Sequence, residues 1–173
     1  MTISAFAATA GVILFPLAMV YAGLMDLFTM KIRNVLVLAL GAGWLVLAPL
    51  AGFSPGEMGT SAAAAGVVFV LAFASFAFGW IGGGDAKLAT AAALWLDPEQ
   101  VPIFFLYAGV LGGLLTLVIL QLRTSLLPPA LWRVAWIAQL RDPKSGVPYG
   151  AAMAPAALLV FPDSAWLAHA AFF

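Results

Sequence analysis

Cysteine is absent from the 173-residue sequence, histidine occurs once, and Asp, Glu, Lys and Arg together make up only 8%. Without cysteine there are no disulfides, thiolate metal sites or thiol nucleophiles. A lone His169 excludes a multi-histidine metal centre within one chain. So few charges cannot cover a water-facing surface, since soluble domains carry roughly 25%. No metal, organic cofactor or nucleic-acid partner is expected; membrane lipid is. Basic residues are missing ahead of the first apolar run, so that run does not look like a cleavable signal peptide.

The sequence is instead 65% hydrophobic, arranged in long continuous runs. In hydrocarbon a chain must satisfy its own backbone, which leaves helices or closed barrels. Barrel strands would alternate in polarity over short segments, and these runs do not. The expected fold class is all-α: a polytopic membrane protein with a single transmembrane domain over 1–173. Six helices are expected at about 3–27, 35–52, 60–80, 85–96, 101–121 and 147–168. An amphipathic segment at about 126–140 carries Leu127, Leu131, Val134 and Ala138 at helical spacing, and reads as lying in the cytoplasmic interface. The fourth run is short, only ~18 Å at 1.5 Å per residue. Asp85, at its start, is therefore expected in a water-accessible recess.

All seven basic residues fall in three alternate connections: Lys31 and Arg33; Lys87; and Arg123, Arg133, Arg141 and Lys144. The positive-inside rule places these in the cytoplasm and both termini outside. Glu57, Asp97 and Glu99 then read as solvated loop charges on the outer side. Asp163, with Pro162, reads as the end of the last helix. The six tryptophans read as interfacial anchors. The pairs Gly79/Gly83 and Gly109/Gly113 read as close helix contacts.

Asp26 and Asp85 share the cytoplasmic side. An ionisable residue at membrane depth costs ~2.5–3.5 kcal/mol near the centre, less towards the interface. Each has a plain structural explanation. Asp85 would cap the fourth helix, and Asp26 would pair with Lys31 or Arg33. Together, and with Gly82, Gly83 and Gly84 in front of Asp85, they read as a catalytic carboxylate pair. Two close carboxylates share one proton. The ionised one activates water; the protonated one hydrogen-bonds the scissile carbonyl and helps expel the amine. The glycines would let a substrate strand approach and the chain turn. Lys87, two positions past Asp85, does not share its helix face and reads as an interface or substrate-carboxylate contact. Asn34 and Tyr149 are candidate hydrogen-bonding groups near the pair.

Gly82-Gly83-Gly84-Asp85 resembles the G-x-G-D signature of intramembrane aspartyl proteases, and with Ala86-Lys87-Leu88 it is similar to the type IV prepilin peptidases. Asp26 followed by Lys31-Ile32-Arg33-Asn34 resembles that family's first motif, and Val147-Pro148-Tyr149-Gly150-Ala151 its Pro-Tyr-Gly motif. The small size resembles the short branch of Flp-type (tight adherence) pilus assembly. The resemblance implies a bacterial inner-membrane, multi-pass endopeptidase that removes the leader of a prepilin or pseudopilin. Asp26 and Asp85 would be catalytic, and Gly82, Gly83, Gly84, Lys87, Asn34, Pro148, Tyr149 and Gly150 would shape the site or bind substrate. Arg33 departs from the family's proline, and residues 28–34 leave no space for the long cysteine-containing loop of larger members. The alternatives are a small proton-coupled carrier, with the aspartates as relay groups, and a non-catalytic pilus-assembly scaffold.

Overall fold

The structure is a computed structural model that describes residues 2–126, 128 and 133–171. Every regular element among these residues is helical: α1 (Ile3–Thr29), α2 (Asn34–Ala51), α3 (Pro55–Ala77), α4 (Gly83–Trp95), α5 (Gln100–Thr124), α6 (Ala135–Arg141), α7 (Gly150–Val160) and α8 (Ala165–Ala171). A single 3-10 turn, Phe161–Asp163, joins the last two. The helix ends are written locally. Thr2 accepts the Ala5 N–H at the start of α1, and Met30 closes it in the left-handed region, φ 53°. Ser54 and Glu57 form a reciprocal capping box with Pro55 at the first turn of α3. Gly52 (φ 95°) ends α2, and Gly79 (φ 75°) turns the chain after α3. Glu57, read as a solvated charge, thus has a defined role in starting a helix.

Among the described residues, four helices are long and apolar enough to cross a membrane: α1, α2, α3 and α5. The other two expected spans are shorter. α4 has 13 residues, or ~20 Å against a hydrocarbon core of ~30 Å. The final run is apolar over Gly150–Asp163 but divides there, because Pro162 cannot continue the hydrogen-bond ladder. Of the expected amphipathic segment, Leu127, Leu131 and Trp132 lie outside the described residues. Within the described part, α6 packs on α5 and α1, and the Trp136 ring meets Phe28 edge-on at 5.4 Å.

α1 packs against α2, α7 and α8, while α4 packs between α3, α2 and α7, and α5 lies against α7. Lipid tails offer no hydrophobic drive between helices, so close van der Waals contact of small residues must hold them. Buried Ala86, Ala89, Ala91, Ala92 and Ala93 on α4 serve this purpose. So do Ala22 and Gly23 on α1 facing α7, where a Cβ at Gly23 would lie 2.7 Å from the Ala154 Cβ. Outward-facing Leu17, Val67, Leu106 and Leu117 are exposed and suit a lipid surface.

At the end of the bundle away from Asp26 an aromatic stack fills the core. Phe15 lies 5.5 Å from Trp95, Trp95 4.7 Å from Trp166, Trp166 4.8 Å from Phe53, and Phe53 4.3 Å from His169. Trp44, Trp95 and Trp166 are all buried, so three of the six tryptophans are core residues rather than interfacial anchors. The Trp95 indole donates to the Leu40 carbonyl at 3.1 Å, which satisfies its polar edge inside the bundle. Asp97 also differs from its expected solvated state: its carboxylate accepts the Ala165 N–H at 2.9 Å and starts α8. Gly79, Gly109 and Gly113 meet no neighbouring side chain or backbone. Of the two expected glycine pairs, only Gly83 is at a close contact within the described bundle, against the Phe76 ring of α3. Gly112, between the second pair, is the residue that the Tyr149 ring presses against.

Candidate active site

Asp26 occupies the last turn of α1 and is 5% exposed. Its backbone carbonyl accepts the Met30 N–H at 2.8 Å, so the chain turns away immediately after it. Its side chain points across to α7, where Oδ2 accepts the buried Gly150 N–H at 2.7 Å. A helix N-terminus presents unpaired N–H groups and suits a carboxylate.

Asp85 lies in the first turn of α4, behind Gly82 at the N-cap. Its carboxylate lies against Gly82, and Asp26 is near enough for its charge to bear on it. The helix ends of α1, α4 and α7 thus converge around Ile32, and the Gly150 N–H is hydrogen-bonded to Asp26.

The glycines are explained by close approach rather than by left-handed backbone. A Cβ at Gly82 would lie 2.8 Å from the Asp85 Oδ2, one at Gly83 3.1 Å from the Phe76 ring, and one at Gly84 3.3 Å from the Ile32 Cβ. At Gly150 a Cβ would lie 2.9 Å from the Asp26 Oδ2 and 3.0 Å from the Ile32 Cδ1. Ile32 is therefore wedged between the Gly84 and Gly150 segments.

Neither Ile32 nor Gly23 stood out as a site residue in the sequence. A weak signal existed for each: Ile32 lies within the stretch after Asp26, and Gly23 is one turn ahead of it.

The remaining candidates fall into two places. The exposed Lys87 ammonium donates to the Asn34 Oδ1 at 3.1 Å, linking the starts of α4 and α2 outside the carboxylate pair. Pro148 is fully buried, and Tyr149 is part-exposed. Tyr149 and Asp85 both line an apolar cleft of about 380 Å³ between α3, α4, α5 and α7, with Val68, Ala72, Ala89 and Phe105 among its walls. Among the described residues no cluster of three or more His, Cys, Asp or Glu side chains could hold a metal ion.

The type IV leader peptidase family model matches residues 13–117, which include Asp26 and Gly82–Asp85. The chain belongs to the type IV leader peptidase family. No curated protein and no solved structure matches it. The family is one of proteases, and together with four long apolar helices among the described residues it points to a multi-pass membrane protein. The family match ends inside α5. Gly150 lies beyond that stretch, so its contact with Asp26 comes from the fold alone.

Proposed function

We propose that this protein is an aspartic endopeptidase that removes the leader of Flp-type prepilins on the cytoplasmic side of the bacterial inner membrane. Asp26 and Asp85 are its catalytic pair. The observation that carries this reading is the convergence of the Asp26 and Asp85 helix ends around Ile32 and Gly150, with Asp26 held by the Gly150 amide and Asp85 at the edge of an apolar cleft. Two carboxylates so placed repel when both are ionised, so the pair holds one proton. The ionised carboxylate takes a proton from water, and the oxygen adds to the scissile carbonyl carbon. The protonated carboxyl group hydrogen-bonds the carbonyl oxygen. The resulting tetrahedral centre collapses, the C–N bond breaks, and the amine leaves with a proton from the pair.

The cleft supports lateral access. Its walls are apolar side chains of α3 and α5, both long enough to span a membrane. An apolar substrate helix lying alongside them brings its leader junction to Asp85. The proposed arrangement has six spans over 1–173, with both termini outside and the basic connections in the cytoplasm. Gly82, Gly83 and Gly84 shape the Asp85 turn, and Pro148, Tyr149 and Gly150 shape the opposite wall. Lys87 and Asn34 form the cytoplasmic rim.

The test is cleavage of a prepilin-like peptide in detergent or liposomes by wild type, Asp26→Asn and Asp85→Asn. Both variants are expected to insert normally and to lose cleavage. Substantial processing by either purified variant overturns the pair mechanism. The native chain has no cysteine, so single cysteines introduced at positions 2 and 31 report sidedness directly. Labelling of both from the same side overturns the topology.

A further inference from the structure

The stretch that delivers Gly150 to Asp26 is held by two arginines from outside the site. α5 ends at Thr124 and α6 at Arg141, and each helix end leaves carbonyls without intrahelical partners. Arg141 Nη1 donates to the Leu122 and Ser125 carbonyls at 2.6 and 2.9 Å, at the end of α5. Arg123 Nε donates in return to the Leu140 carbonyl at 3.0 Å, at the end of α6. The two guanidinium groups thus cap each other's helices, where a cation also complements the helix dipole.

Arg123 does more. Its Nη2 donates to the Ser145 carbonyl at 2.8 Å and to Gly146 at 3.3 Å. Ser145 is itself tied back, its N–H and hydroxyl both donating to the Asp142 carbonyl. From Gly146 only Val147, buried Pro148 and Tyr149 precede Gly150, and the Tyr149 ring rests on Gly112 of α5. The start of α7 is therefore fixed from α5 at two points, Arg123 and Gly112.

We infer that Arg123 and Arg141 form a clasp whose work is to position the Gly150 amide against Asp26. They are positioning residues and touch neither carboxylate. The positive-inside rule alone would require only their charge. The clasp requires the guanidinium fork, which reaches several carbonyls at once, whereas a lysine ammonium is a point charge on a flexible stem. Arg→Lys therefore separates the two roles, because it keeps the charge and removes the fork. The inference rests on the proposed function, since Gly150 matters to hydrolysis only where Asp26 and Asp85 are the reacting pair.

The experiment compares full-length wild type, R123K, R141K and R133K by amide hydrogen exchange and by prepilin-peptide cleavage. Arg133 is exposed and serves as the charge-matched control. In R123K and R141K, exchange at residues 147–151 is expected to rise about tenfold or more, with α1 and α2 unchanged. Their kcat is expected to fall roughly tenfold to hundredfold with KM within about a factor of two, as for a misplacement of about 1 Å. R133K is expected to match wild type in both assays. Wild-type exchange at 147–151 in both variants overturns the clasp. Equal loss of protection through α1 and α2 in both variants also overturns it, assigning the arginines to general stability. Should wild type cut no prepilin-like peptide, the proposed function falls, and exchange at 147–151 still decides the clasp.

Discussion

Replacing Gly150 with alanine is the sharpest test of how the site is put together. Carbon atoms in ordinary contact sit ~3.5–4.0 Å apart. A methyl group at position 150 would sit 2.9 Å from the Asp26 Oδ2 and 3.0 Å from both the Asp26 Cβ and the Ile32 Cδ1. The shortfall is roughly 0.5–1 Å on three sides. The Ile32 tip can rotate aside, but the Asp26 Cβ is fixed to α1. Either the first turn of α7 withdraws or the Asp26 carboxylate swings away, and both break the 2.7 Å hydrogen bond from the Gly150 N–H. Overpacking of this kind costs ~1–3 kcal/mol of stability, which leaves the protein folded. A misplacement of about 1 Å at the reacting groups costs on the order of a hundredfold in rate, or about 2.7 kcal/mol on the barrier. The assay is kcat/KM for prepilin-peptide cleavage, with Gly113→Ala on α5 as the control, because a methyl there meets nothing. Cleavage by G150A within a factor of about three of wild type, far from the hundredfold loss expected, would refute the role given to this amide.

Three further outcomes are expected. Gly11→Ala places a methyl inside the Trp166 ring, which is itself held by Trp95 and Phe53; melting in detergent should show a loss of ~1–3 kcal/mol. Asp97→Ala removes the acceptor for the Ala165 N–H; it should cost ~0.5–2 kcal/mol, as helix caps do, and exchange should quicken first in α8. Ala72→Trp fills the cleft beside Asp85; KM for a prepilin peptide should rise while melting is unchanged, and an unaltered KM would argue against the cleft as the substrate path.

Asp26 and Asp85 stand out in the sequence as candidates because carboxylates in a strongly apolar chain are costly, and the fold brings the ends of their helices together. The helical runs were legible because hydrocarbon permits few other folds, and their ends carried ordinary signals such as Ser54-Pro55 and Gly52. What could not be read were contacts between distant segments of small or amphipathic residues. Nothing near Gly11 announces that Trp166 will lie on it. Trp95 looks like an interfacial anchor until the Leu40 carbonyl is found to satisfy its indole. Asp97 resembles any loop acid until α8 folds back onto it. The triple glycine stands out in the sequence, but its packing reasons (Asp85, Phe76 and Ile32 in close contact) belong to the packed bundle. Gly109 and Gly113 matched a packing pattern by spacing alone, while the contact fell on Gly112.

The three parts of the site come from the first, middle and last thirds of the chain: Asp26, Asp85 and Gly150. During synthesis both carboxylates therefore leave the ribosome well before the segment that brings the amide to them, an interval on the order of seconds. Throughout it the nascent protein holds an unfinished pair with no α7 wall and no fixed orientation for Asp26. On the proposed mechanism, proteolytic competence is thus acquired late, with the final apolar segment, and a chain interrupted before that point would be a membrane resident unable to cut its neighbours.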